Sequence, residues 1–307
     1  MCASNNSMLQ ADQIGDKISL NEFFETMYFP YIKSYKKTFS HDKYTYYKNL
    51  SPHFGQVTIN DIRAFEVDRW IGLQEEAGYA NSTIIKHLVL LKRMIRVAVR
   101  WELIPNDNAV NRHRKISLGD FRQRFLTPSE VSALISSCHA SKHPFLGFVV
   151  ELLILTGARC GEIRLAKFSH IDFEESSLVV PISKTGKKRV IYLSEKAKTL
   201  IISIRKKSED LSLPTSADFF LIKNPKTGKP YNDFQVAFAK ARGEVGINDV
   251  RIHDLRHTYA SILIQNDVTL YEVQKLLGHS SPNMTQRYAH LNPNILKQIV
   301  NNLPGFF

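Results

Sequence analysis

Residues 81–101 constrain this chain more than any other stretch. Ile84, Ile85, Leu88, Leu91, Met94, Ile95 and Ala98 recur there at the i, i+3, i+4 spacing of an α-helix, while Lys86, Lys92, Arg93 and Arg96 fall between them. Such a stripe must be buried against other helices, and its basic residues are left over for another task. Pro105 and the polar run Asn106-Asp107-Asn108 stop the pattern. Upstream, residues 64–77 read as a second long helix. Asn21-Glu22-Phe23-Phe24 opens an aromatic-rich helical stretch through Tyr31 and Tyr35, and residues 43–50 continue it. Residues 1–16 are polar and are expected to be disordered. Residues 17–112 are therefore predicted to form one helical domain.

Arg112-His113-Arg114-Lys115 begins a charged stretch of low hydrophobicity that runs to Arg124. Residues 113–124 are read as a linker to a second domain, residues 125–307. That domain opens on Thr127-Pro128-Ser129-Glu130, where Thr127 suits an N-cap, Pro128 the first helical position and Glu130 the return bond of a capping box. A helix ends at Thr156-Gly157 and another begins near Arg159. Residues 177–182 and 189–193 are β-branched runs flanking Lys184-Thr185-Gly186-Lys187, a β-hairpin with a basic tip. Helices are expected at 195–207, 233–243, 253–265, 270–277, 283–289 and 293–302. The fold class is mainly α with a small antiparallel β-sheet (α+β).

The chain carries a formal net charge of +12 over 307 residues, and both halves are basic. This favours a polyanionic partner, nucleic acid before anionic membrane. The longest apolar stretch, 144–156, is interrupted by Glu151 and is too short to span a bilayer, and Met1 to Asp12 contain no apolar signal region. Three cysteines, Cys2, Cys138 and Cys160, give no disulfide framework and no metal-site spacing. A cytoplasmic protein without membrane attachment is expected.

Four segments carry chemistry. Thr156-Gly157-Ala158-Arg159-Cys160-Gly161-Glu162 places an arginine at a glycine turn, with a carboxylate one helical turn on to fix it. Lys184 sits at the hairpin tip; its Lys-Thr-Gly-Lys-Lys run lacks the leading glycine and the ending of a phosphate-binding P-loop. In His253-Asp254-Leu255-Arg256-His257, His253 and Arg256 can face one ligand. His253 and His257 would also suit zinc, but no third ligand is evident; the alternative for His257 is packing support. Cys160 reads as a small filler. Finally Gly278, a helix C′ position, turns the chain at His279, and Tyr288 follows beyond Ser281-Pro282.

Together, two arginines, a lysine, two histidines and a tyrosine form a kit for phosphoryl transfer to a protein hydroxyl. Arg159 and Arg256 can neutralise charge on non-bridging oxygens. Tyr288 can attack, His253 or His279 can take its proton, and Lys184 can protonate the departing 5′ oxygen. None of these steps calls for a metal or another cofactor.

In order and in type, these segments resemble those of the tyrosine recombinase, or phage integrase, family. The likeness spans nearly the whole chain. It implies a helical core-binding domain over 17–112 and a catalytic domain over 125–307, whose C-terminal helix contacts a neighbouring protomer. It implies that Arg159, Lys184, His253, Arg256, His279 and Tyr288 are catalytic, with Glu162 and His257 in support. The implied reaction is site-specific recombination through a 3′-phosphotyrosine and a Holliday junction, on double-stranded DNA recombination sites held by a homotetramer. An accessory DNA-bending or directionality factor fits this scheme. Lys86, Lys92, Arg93, Arg96, Arg112, Arg114 and Lys115 are the candidate DNA contacts. Only about sixteen polar residues precede the core-binding region, so arm-site contacts of the lambda type are not expected. An Xer-like chromosome dimer resolvase and a type IB topoisomerase-like relaxing activity are the alternatives, and recombination between two sites separates the last from the rest.

Overall fold

The computed structural model describes residues 18–105, 109–119, 124–181, 188–279 and 281–291. They fall into two compact units that divide between 121 and 122.

The N-terminal unit is helical. Ser19 caps its first helix by accepting the Glu22 N–H at 3.1 Å. Helical backbone then runs through residues 20–35, with a wider π turn at Phe24–Tyr28. A second π turn spans Tyr46–Leu50. Each lies directly before a helical segment with proline in its first turn, Pro30 and Pro52. Proline offers no N–H to the preceding turn, and a register shift there accommodates the loss. The stacked rings of Phe24 and Tyr46, 3.7 Å apart, pin these segments together. Helix α1 (Ala64–Glu76) buries Trp70, whose indole N–H donates to the Asn49 carbonyl at 2.9 Å. Helix α2 (Asn81–Arg100) buries Ile84, Leu88, Leu91, Met94, Ile95 and Ala98 as its periodicity predicts, together with His87, Leu90 and Val97.

The segment expected as a linker is partly carried by this unit. The Arg114 backbone N–H donates to Asp68 at 2.7 Å, Asn81 donates to the Ser117 carbonyl at 2.8 Å, and Ile116 packs on the N-terminal core. Residues 113–119 are thus fastened to the helices rather than free between the units.

The second unit starts with α3 (Pro128–Ala140). Its capping box forms as expected: Glu130 accepts the Thr127 N–H at 2.8 Å and Thr127 accepts the Glu130 N–H at 3.3 Å. Arg124 pairs with Glu130 at 2.6 Å and holds its carboxyl down to about 2. Helix α4 (Leu146–Thr156) is buried on nearly every side and forms the centre of the core. Its interrupting Glu151 pairs with His139 at 3.1 Å. After α5 (Cys160–Arg164) comes a three-stranded antiparallel sheet, β1 (Ile171–Asp172), β2 (Ser177–Val180) and β3 (Arg189–Tyr192), in that order. The β2–β3 pair is the expected hairpin, with Val180 opposite Arg189; its tip lies outside the described residues. The two-residue β1 is too short for any periodicity to announce it. Helices α6 (Glu195–Asp210), α7 (Gln235–Glu244), α8 (Asp254–Gln265), α9 (Leu270–Leu277) and α10 (Asn283–Gln286) complete the unit. Among the described residues no helix is long and apolar enough to cross a membrane. The expected helix over 293–302 lies outside the described residues.

Candidate active site

Helix α4 ends at Gly157, whose φ of +60° is left-handed backbone. The Tyr259 ring also lies where a side chain would start, so this turn requires glycine twice over. It delivers Arg159 to the N-cap of α5. There Glu162 accepts both the Arg159 backbone N–H at 2.8 Å and the Arg159 guanidinium at 2.9 Å. The carboxylate is the more buried partner. The i, i+3 pairing expected from the sequence is therefore formed, and it fixes the arginine from two directions.

Arg256, on α8, is almost wholly buried. One guanidinium nitrogen donates to the Gly157 carbonyl and the other to the Leu277 carbonyl, each at 2.6 Å. It thereby ties the C-terminal ends of α4 and α9, where carbonyls lack helical partners and the dipoles favour a cation. Burial, and then the charges of Arg159 and Arg189, lower its pKa to about 10, so it remains cationic.

Gly278 follows α9 with φ +63° and turns the chain to His279. His279 is fixed by a 2.8 Å hydrogen bond between its Nδ1 and the Thr285 hydroxyl. Burial, then Arg256, Arg159, Arg189 and Arg287, push its pKa down to about 3. The corner thus presents a neutral imidazole to a strongly positive surround.

Tyr288 is not inside a helix, as the sequence suggested. It occupies a turn between α10 and the short helical turn Ala289–Leu291. Its ring is 5% exposed and packs among Ala260, Ile264, Val273 and Leu277. Its hydroxyl meets His257 Nδ1 at 2.5 Å. Burial raises the Tyr288 pKa, against the pull of Arg287 and Arg256. Burial and the neighbouring His253 depress His257 to about 4. The His253 ring, 5.2 Å from that of His257, is exposed at the start of α8, and its pKa is lowered by partial desolvation and then by Arg256. The contact with Tyr288 gives His257 a more specific place than packing support.

Arg159, Glu162, His253, Arg256, His257, His279 and Tyr288 are thus brought into one interacting group. Lys184 lies outside the described residues. Arg189 belongs to the group, although it is not among the site residues expected from the sequence. A signal was available: residues 189, 191 and 193 share a strand face, and Ile191 and Leu193 are buried. It was masked because Val190 and Tyr192 make the opposite, exposed face equally apolar. Cys160 packs against the core, and burial raises its thiol to about 11, as befits a filler.

The candidate DNA contacts separate by environment. Lys86, Arg96, Arg112 and Lys115 are exposed and Lys92 is half-buried. Arg93 is committed to Asp42 at 3.1 Å and Arg114 to Glu75 at 2.6 Å.

The two depressed histidines carry a stability consequence. Between their folded values and the ordinary 6.5, the unfolded chain binds protons that folded His257 and His279 refuse. Stability should therefore fall as pH drops through that window. The urea midpoint of the second unit should decline from about pH 7 to about pH 5, and the decline should shrink when both are changed to glutamine. A flat midpoint in the unaltered protein contradicts this.

Comparison with known proteins agrees with the geometry. The model of the phage integrase family matches residues 124–294. Tyrosine recombinase XerA of Saccharolobus solfataricus is 25% identical over 243 residues, 75% of each chain. The integrase of Haemophilus phage HP1 is 28% identical over 264 residues, 82% of this chain and 71% of that one. The fold is similar to that of a lambda integrase tetramer bound to a Holliday junction, with a TM-score of 0.71 and 21% identity over 91% of this chain and 80% of that one. With more than half its length matched, the chain belongs to the phage integrase family, the tyrosine recombinases, and is a DNA breaking-and-rejoining enzyme.

Proposed function

We propose that this cytoplasmic enzyme exchanges strands between two double-stranded DNA recombination sites, with Tyr288 as the attacking nucleophile. The observation that carries the reading is the buried Tyr288 hydroxyl, held by His257 at 2.5 Å within the field of Arg256. Tyr288 Oη attacks the scissile phosphorus, the bond from phosphorus to the 5′ oxygen breaks, and the protein becomes joined to the 3′ phosphate. The proton leaving Oη passes to a neutral imidazole; the contact supports His257 as first acceptor over His253 or His279. Lys184 supplies a proton to the departing 5′ oxygen. The 5′ hydroxyl of the partner strand then attacks the phosphotyrosine, so the bond is conserved without a nucleotide cofactor.

Arg159 and Arg256 neutralise the charge that grows on the non-bridging oxygens. Glu162 holds the first, and the carbonyls of Gly157 and Leu277 hold the second while leaving its remaining N–H groups for a phosphate. His253 and His279 complete the pocket as neutral donors. In this scheme the unit ending at 121 is the core-binding domain and the following unit is catalytic. Lys86, Lys92, Arg96, Arg112 and Lys115 contact DNA phosphates, so affinity falls with salt. Arg93 and Arg114 reach DNA only by giving up their carboxylate partners. Four protomers act together on a Holliday junction, the state in which the lambda integrase of similar fold was crystallised.

A DNA duplex nicked just beyond the scissile phosphate loses its leaving strand and traps the intermediate. The protein should give a covalent adduct on denaturing gels, and EDTA should leave the yield unchanged, because side chains supply the charge neutralisation. A strict requirement for a divalent metal overturns the mechanism.

A further inference from the structure

Arg189 begins β3, and its side chain is only 9% exposed. Its Nε, Nη1 and Nη2 are all inaccessible to solvent, and none makes a hydrogen bond among the described residues. A guanidinium whose stem alone was packed would keep its head in water. This one does not, and an unsatisfied buried cation is costly to a fold.

Two neighbours define what the cost accompanies. Glu162 holds the Arg159 guanidinium through Oε1, while its Oε2, which accepts the Arg159 backbone N–H, lies 3.8 Å from Arg189 Nη2. On the other side, a Cβ added at Gly278 would stand 2.3 Å from Nη1 and 2.9 Å from Cδ. The guanidinium therefore fills the space beneath the corner that carries His279, and it links that corner to the carboxylate of Arg159. Burial lowers its pKa while Glu162 opposes the shift. Arg159, Arg189 and Arg256 lie in one another's field across this cluster, and the charge of Glu162 acts on all three. An excess of buried positive charge is stabilised by an anion.

We infer that Arg189 is a positioning residue for strand cleavage: it braces Arg159–Glu162 against the Gly278–His279 corner and adds a third guanidinium charge to the phosphate pocket without touching the phosphate. The inference rests on the proposed attack by Tyr288. Two ways of acting are combined in it, and chemistry distinguishes them from mere packing. A charge acting on the phosphate matters less when the scissile linkage is an uncharged methylphosphonate. A packing element matters equally for both linkages.

The test uses the full chain with Arg189→Met, which keeps the stem and removes the charge, and Arg189→Lys, which keeps a charge. Single-turnover adduct formation is followed on nicked duplexes with an ordinary phosphate or a methylphosphonate at the scissile position. On phosphate, Arg189→Met should slow cleavage by roughly 100-fold, in the range of losing one preorganised charge-stabilising group. DNA affinity should change by less than about threefold, because outlying phosphates supply most of it. Arg189→Lys should recover part of the rate. On methylphosphonate, the Arg189→Met deficit should shrink to less than about tenfold. Thermal unfolding should find Arg189→Met at least as stable as the parent, since a poorly compensated buried charge has been removed. Equal deficits on both linkages, a rate within about threefold of the parent, or a lysine variant no better than methionine each overturns the inference. Absence of any adduct from the parent protein on either linkage instead overturns the reading beneath it, and this inference with it.

Discussion

Tyr288→Phe should abolish the covalent protein–DNA adduct while leaving the protein folded. The phenyl ring keeps the packing among Ala260, Ile264, Val273 and Leu277, so the small cluster around it survives. The loss is the hydroxyl and its contact with His257. That contact contributes about 1 kcal/mol of net stability, a small part of a domain's total. The chemical effect is of another order. Without the nucleophile, cleavage should fall by on the order of 10⁴-fold or more, below detection on gels. DNA binding should persist, because phosphate contacts carry most of the affinity. An adduct from the phenylalanine variant at the parent rate would show that another side chain attacks.

Arg256→Ala should be damaging twice over. The guanidinium satisfies the Gly157 and Leu277 carbonyls, each at 2.6 Å and each at the C-terminal end of a helix. Truncation leaves both without that donor and opens a void between α4 and α9. The expected cost is about 3 kcal/mol or more, from lost charge-assisted hydrogen bonds. Cleavage should fall by roughly 10³-fold at temperatures where the variant stays folded. Arg256→Lys keeps a charge but offers one point donor where a planar fork spans two carbonyls, so it should restore only part of either property. Urea unfolding and single-turnover cleavage read the two effects separately. An alanine variant as stable as the parent would contradict the place given to Arg256 in the fold.

These expectations draw on residues whose legibility in the sequence differed for physical reasons. The stripe on α2 and the capping box at Thr127 and Glu130 depend on neighbours within a turn or two, and both were readable. The Arg159–Glu162 pair, one helical turn long, was equally local. The two π turns were not evident, although Pro30 and Pro52 mark both places; proline signals a broken hydrogen bond, not how the chain absorbs it. Tyr288 was expected on a helix, but α10 ends at Gln286 and the residue sits in a turn. What buries it are side chains of α8 and α9, and its partner His257 lies 31 positions away. No local pattern carries that pairing. Arg189 was missed because both faces of its strand are apolar, so alternation alone could not say which faces inward.

The trapped adduct gives the most direct test of the central claim. The parent protein is reacted with the nicked duplex, digested with a protease and nuclease, and the modified peptide is sequenced by mass spectrometry. One modified residue is expected, Tyr288, joined to a nucleotide 3′ phosphate. Modification of another tyrosine, such as the exposed Tyr271, or a linkage to a 5′ phosphate, would contradict it.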